Sequence, residues 1–168
     1  KNSAGVTQFD KDRIASLGST QVQSFNSIAA LRLRSGTTIA NAAKTLGYYA
    51  AGDGGGNSFY WDGTSTATDN AGTVIKPTAV SGAGRWLATD ASFVSVSQFG
   101  AVGGGIVDDT SAFTAAVSYM NSVYVGLDGF LRDPPKKGIL HVPPTPNGEY
   151  VIKEPLVSTG NYGIIIDG

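Results

Sequence analysis

Residues 93–122 read "FVSVSQFGAVGGGIVDDTSAFTAAVSYMNS", and what this stretch covers decides the fold. Asp109 or Thr110 is placed to cap a helix. Beyond them Phe113, Ala116, Val117 and Met120 recur at i, i+3, i+4 and i+7, a single apolar stripe. Burying Phe113, Val117 and Met120 would contribute about 1.5–3 kcal/mol each, so this helix lies on a hydrophobic layer. Three short strands follow: "GILHVPP" at 138–144, "GEYVIKEPL" at 148–156 and "NYGIIIDG" at 161–168, with turns rich in Pro, Gly and Asn between them. Regular short strands after one amphipathic helix fit the start of a β-solenoid, each segment stacking on the next coil. A solenoid needs about three or more repeats to bury its core, whereas one coil and part of another fit before Gly168. The expectation is therefore a longer natural protein, in which residues 91–168 hold a capping helix and the first coil or coils.

Towards the N-terminus the pattern changes. Residues 37–88 read as β: two candidate strands around Ile39 and Tyr48, then "NSFYWDG" with Phe59 and Trp61 on one face and Tyr60 on the other. In "GTVIKPTA" Val74 and Lys76 alternate with Ile75, and Pro77 ends the strand or places it at an edge. "GAGRWLA" returns as an aromatic strand. About four strands make a small sheet, with a helix of about two turns laid across it. Ser27 caps that helix, Ile28, Ala30 and Leu31 share its face, and Gly36 stops it. Residues 25–90 thus form a small α+β domain. Residues 1–24 read as a connector from a missing upstream domain, with one short strand at Val6–Phe9. The whole is mainly β with two short helices.

Composition narrows the function. A net charge of -1 with 15% charged residues offers no phosphate-binding surface, and Lys136-Lys137 is a solvated loop pair rather than a nucleic-acid contact. Cysteine is absent, which excludes disulfides and thiolate metal sites. No apolar run approaches a membrane span or a signal-peptide core. The chain opens on Lys1 rather than Met, as a processed chain or an excerpt does.

Two stretches, in order, carry a resemblance. "GYYAAGDGGGNSFYWDGTSTATDNAGTVIKPTAVSGAGRWLA" resembles the small domain near the front of many bacteriophage tailspikes. "VSQFGAVGGGIVDDTSAFTAAV" with "GILHVPPTPNGEYVI" is similar to the N-terminal entry of the pectate-lyase-like right-handed parallel β-helix that follows it there. The match spans residues 25–168. It implies a homotrimeric virion component of the phage tail, assembled in the host bacterial cytoplasm. Its N-terminal side would join other phage tail or tailspike proteins. Its downstream β-helix would recognise, and as a glycoside hydrolase or lyase degrade, capsule or lipopolysaccharide O-antigen. The family's catalytic carboxylates lie well past the first coils or between subunits, and no position here matches them. No catalytic, cofactor-binding or metal residue is therefore assigned, no cofactor is implied, and this chain is expected to lack a complete active site. The family writes Asp where this chain has Gly104 and Thr where it has Val107, while Asp108, Asp109 and Thr110 are kept. A second reading is the front end of a bacterial or prophage pectate-lyase-like enzyme not carried on a virion. It leaves the 37–88 module poorly explained.

Gly54, Gly55 and Gly56 read as a hairpin turn needing positive φ. Tyr48, Tyr49, Phe59, Trp61 and Trp86 read as packing residues between sheet and helix, or against a neighbouring subunit, in preference to a sugar platform. Asp108-Asp109 reads as a helix cap rather than a pair of acid–base carboxylates, which would face each other across a substrate. "GAVGGG" lacks the Lys-Ser/Thr of a phosphate loop. His141 is the only histidine. Alternation with Leu140 and Val142 turns it outward, and nothing in the sequence sets a particular Ser beside it for nucleophilic chemistry.

Overall fold

Strand Ser58–Asp62 organises the first sheet through its alternation. Phe59 is buried at 1% exposure, Tyr60 faces solvent and Trp61 is half-buried. A computed structural model of the chain describes residues 22–37, 40–90, 93–124, 139–145, 148–157 and 165–167. The first sheet holds β1 (Val22–Phe25), β2 (Ala42–Thr45), β3 (Ser58–Asp62), β4 (Val74–Ile75) and β5 (Arg85–Ala88), in the order β1-β2-β3-β5-β4. β1 runs parallel to β2, and the other pairs are antiparallel. Helix α1 (Ile28–Arg32) lies on one face and seats Ile28 and Leu31 against Ala43, Phe59, Ile75 and Trp86. Trp61 meets Trp86 edge to face at 5.2 Å between centroids. The Trp86 indole N–H donates to the Arg34 carbonyl at 2.8 Å.

Several expectations hold here and others change. Ser27 caps α1, its hydroxyl accepting from the Ala30 N–H at 3.2 Å. The helix closes at Leu33, however, three residues before Gly36. Gly36 serves close approach instead, since a Cβ there would run into the Trp61 ring. Val74–Ile75 is an edge strand, one of the two outcomes Pro77 allowed. Tyr48 is not in a strand. The N–H groups of Tyr48, Tyr49 and Ala50 are taken by the Asp53 carboxylate, so they are lost to a ladder. One strand, β2, falls between the two expected centres, and Ile39 lies outside the described residues. Residues 22–24, read as connector, begin β1. Its polar "VQSF" pattern suits an edge strand and gave little periodicity. Val6–Phe9 and Lys136-Lys137 also lie outside the described residues.

The second sheet is β6 (Phe93–Ser95), β7 (Ile139–His141) and β8 (Ile165–Asp167). All three are parallel and in register, so Phe93, Ile139 and Ile165 form one row and Val94, Leu140 and Ile166 the next. A short 3-10 helix, Val96–Phe99, and helix α2, Thr110–Tyr124, cover this sheet. The stripe Phe113, Ala116, Val117 and Met120 is buried as expected, against Val94, Val96, Phe99 and Leu140. The middle expected strand, "GEYVIKEPL", is absent as a strand of this sheet. Its backbone pairs instead with the loop before α2: the Asp109 N–H donates to the Val151 carbonyl at 2.8 Å, and the Gly104 N–H to Glu149 at 2.8 Å. Only a single bridge, Asp108 to Val151, results. Among the described residues the chain is mainly β with two α-helices, and no coil of a β-helix closes.

Candidate functional site

The two units meet at the loop between β2 and β3, and Asp53 builds that loop. One carboxylate oxygen accepts from the N–H groups of Tyr48 and Gly55, both at 2.9 Å. The other accepts from Tyr49 at 2.7 Å and Ala50 at 3.0 Å. Burial alone would raise the Asp53 pKa, but these four amide bonds outweigh it and hold the group below the ordinary carboxylate value. The glycines divide the work differently from a hairpin over Gly54–Gly56. Positive φ occurs at Gly52 (88°) and Gly54 (84°), not at Gly55 or Gly56. Those two are small for contact: a Cβ on Gly55 would lie 2.6 Å from Tyr48 Cβ and press on the Ser97 carbonyl, and one on Gly56 would lie 2.8 Å from the Thr45 carbonyl.

Across the junction the Tyr49 hydroxyl donates to the Gly100 carbonyl at 3.1 Å, and Gln98 Nε2 reaches the Gly56 carbonyl at 3.5 Å. Gly100, at φ 95°, leaves room for the Tyr48 ring, and Gly72 leaves room for Phe99. Phe59, Trp61 and Trp86 pack the sheet on α1 as expected. Tyr48 also packs on that core as expected and in addition lies beside Gly100, whereas Tyr49, edge to face with it at 4.7 Å, turns its hydroxyl to the second unit. Sequence reasoning missed Asp53, Gln98 and Gly100 as joint residues. An Asp before a glycine run was the available signal, because such a carboxylate readily accepts from nearby backbone amides.

The acidic pair also differs from expectation. The Asp109 side chain does not cap α2. It is 2% exposed and turns back to accept from the N–H groups of Val102 (2.7 Å) and Gly103 (3.2 Å), so the chain's own carboxylate fills the amide cradle of "GAVGGG". Asp108 serves the helix start, accepting from the Thr110 N–H at 3.0 Å and its hydroxyl at 2.6 Å. The Thr110 hydroxyl bond leads in lowering the Asp108 pKa. Asp108 faces outward beside Lys153 Nζ at 3.5 Å, so the two carboxylates do not converge on a substrate.

His141 lies on the face opposite buried Leu140, as alternation required. The register adds what spacing could not: Ser95, His141 and Asp167 stand side by side on adjacent parallel strands. Among the described residues, Ser95 and His141 share no hydrogen bond that would make them nucleophile and base. Ser95 Oγ accepts from the Ser97 N–H at 3.3 Å within a capping box, and His141 Nδ1 is buried without a hydrogen-bond partner among the described residues. Among the described residues no group of three His, Cys, Asp or Glu is placed to hold a metal.

Residues 24–91 match the family described as the phage tail protein small four-stranded beta-sheet domain. β2–β5 supply four antiparallel strands there, and β1 adds a fifth. Among solved structures, a tailspike protein from Acinetobacter baumannii bacteriophage Fri1, a capsular polysaccharide depolymerase, is similar with a TM-score of 0.57 and 27% identity, over 74% of this chain and 20% of that one. The enzymatically active domain of tailspike protein 2 from bacteriophage CBA120 gives 0.51 and 24%, over 80% and 22%. A glycan biofilm modifying enzyme of Pantoea stewartii, with a bacteriophage tailspike-like parallel beta-helix fold, gives 0.54 and 18%, over 73% and 16%. These last two likenesses are of fold. No curated protein sequence matches the chain. The chain spans about a fifth of the length of the tailspikes it matches. Residues 24–91 match the phage tail small β-sheet domain family and the fold of the chain is similar to that of phage tailspikes, which together support a tailspike N-terminal region.

Proposed function

We propose that this chain is the neck of a phage tailspike. It joins a virion-proximal part to a trimeric β-helical shaft that recognises and degrades host surface polysaccharide. The observation that carries this reading is an order of parts. A phage tail sheet domain is followed through a tightly packed joint by a capping helix laid over in-register parallel strands. We place the chemistry in the shaft; in its support, Asp109 and Ser95 answer backbone amides and Asp108 serves the start of α2. Depolymerase activity is a property of the Fri1 relative, and its extension to this protein is part of the proposal.

The test compares this chain with the complete gene product on purified capsule or O-antigen, reading new reducing ends or unsaturated products. The complete product is expected to release oligosaccharide as a trimer, and this chain alone to release none. Release by this chain would place the active site within residues 1–168 and overturn the assignment. The second reading, a bacterial enzyme outside any virion, draws on the likeness in fold to the Pantoea stewartii enzyme. Antibody raised against residues 24–91 would label phage tails under the first reading, and only secreted bacterial protein under the second.

A further inference from the structure

The two edges of the first sheet differ in how they are guarded. β4 is two residues long and is followed at once by Lys76 and Pro77, which limits what can pair beyond it. β1, "VQSF", contains neither proline nor charge, and among the described residues its one paired neighbour is β2. The Phe25 carbonyl accepts from the Leu46 N–H at 2.8 Å, so Phe25 turns its backbone groups towards β2. Alternation then turns those of Val22 and Ser24 outward. Val22 is 61% exposed, and Phe25, which packs on the α1 core, is only half-buried. This edge offers backbone donors and acceptors to a further strand, beside apolar surface that is still partly uncovered.

A matching strand occurs earlier in the sequence. Residues 6–17, "VTQFDKDRIASL", repeat residues 22–31, "VQSFNSIAAL". Val6, Phe9, Ile14, Ala15 and Leu17 correspond to Val22, Phe25, Ile28, Ala29 and Leu31, with a slightly longer link in the first copy. The second copy is β1 followed by α1, with Ser27 as cap and Ile28 and Leu31 buried. The first copy has the same parts: Asp12 for a cap, Ile14 and Leu17 one turn apart, and Gly18 for a stop. The lengths agree as well. β1 reaches its parallel partner β2 across residues 26–41, which include α1. Residues 10–21 give an earlier crossover the dozen or so residues that a parallel connection needs. A right-handed crossover running in the same direction sets its helix on the α1 face, where Ile14 and Leu17 would cover Phe9 and the uncovered side of Phe25. We infer that residues 6–9 occupy the outer edge of β1 as a parallel strand of the same chain, Val6 beside Val22 and Phe9 beside Phe25, with residues 13–17 as the crossover helix. Under the tailspike reading, the virion-side connection then enters the neck as a paired strand. The pairing itself does not depend on that reading, and the experiment reads the pairing alone.

The experiment is nuclear magnetic resonance of the whole 168-residue chain, isotopically labelled. Backbone contacts between residues 6–9 and 22–25 in parallel register are expected, together with a slowly exchanging Ser24 amide. Phe9→Pro removes the donor that would face the Ser24 carbonyl. It should speed Ser24 exchange by about tenfold or more, while the Thr45 and Trp61 amides, bonded within β2 and β3, keep their protection. The inference is overturned if Ser24 exchanges as an unpaired amide in the unmutated chain, or if Phe9→Pro leaves its exchange unchanged. Should the variant unfold, the contacts in the unmutated chain decide. A mixture of labelled and unlabelled chains separates the other occupant: contacts found only between different chains would overturn the inference in favour of strand exchange between copies.

Discussion

Asp53 holds its charge against partial burial because four amide dipoles point at it. Its folded pKa is lowered, so its stabilisation is complete above the ordinary carboxylate value of about 3.9. That contribution is lost as pH falls through the lower, folded value. Asp53→Asn should therefore cost about 1–2 kcal/mol at neutral pH. The gap to the wild type should narrow below about pH 4, as read from urea melts across pH. Asp109→Ala should cost more, about 2–3 kcal/mol, because it leaves the Val102 and Gly103 amides unanswered. Chemical denaturation checks this, and a loss no larger than that of Asp53→Asn would contradict the buried cradle. Neither role was legible beforehand. Spacing placed Asp109 at a helix start, where capping is the usual work of a carboxylate, but which neighbour's amides it answers depends on a turn that spacing does not encode. The positive-φ reading of Gly54–Gly56 held at Gly54 alone: Gly55 and Gly56 are needed for the room they leave, which Ser97, Tyr48 and Thr45 set.

Elements with strong periodicity were legible, and weakly patterned ones were not. The α2 stripe and the alternation at Phe59–Trp61 each bury one apolar face in a core, so pattern and packing agree. β1 carries too little apolar pattern to be seen. The segment around Tyr48 has aromatic strand formers but loses its backbone donors to Asp53. "GEYVIKEPL" has strand composition, yet the Gly104 and Asp109 amides take its Glu149 and Val151 carbonyls. Within the first unit, Trp86→Ala should cost about 3–5 kcal/mol, the usual range for a large buried aromatic. Trp86→Phe should cost less, because it forfeits mainly the bond to Arg34. Urea melts of the pair separate packing from hydrogen bonding, and equal losses would mean that the indole N–H carries most of the effect. The Arg32–Asp69 pair ties α1 to the turn before β4. Burial alone would raise the Asp69 pKa, but its bonds from Arg32 and from the Lys76 and Ala71 amides lower it. This contribution too should fade on acidification.

At the scale of the whole molecule, the order of parts was legible and the joint between them was not. The sheet domain, the helix and the parallel strands could each be placed from pattern and resemblance. The meeting of residues 48–56 with 97–100 arises only when both units are folded. Gly55→Ala probes it, because the added methyl has to displace the Ser97 backbone or the Tyr48 side chain. Each unit should keep its own core while the contact between them opens, seen as lost hydrogen-exchange protection confined to the joint. The account's central claim is that these contacts make a rigid neck, able to transmit orientation from a virion-proximal part to a shaft. Backbone nuclear spin relaxation of the chain tests it most directly. One rotational correlation time shared by residues 42–88 and 93–122 is the expected result. Separate correlation times for the two units, already present in the unmutated chain, would contradict it.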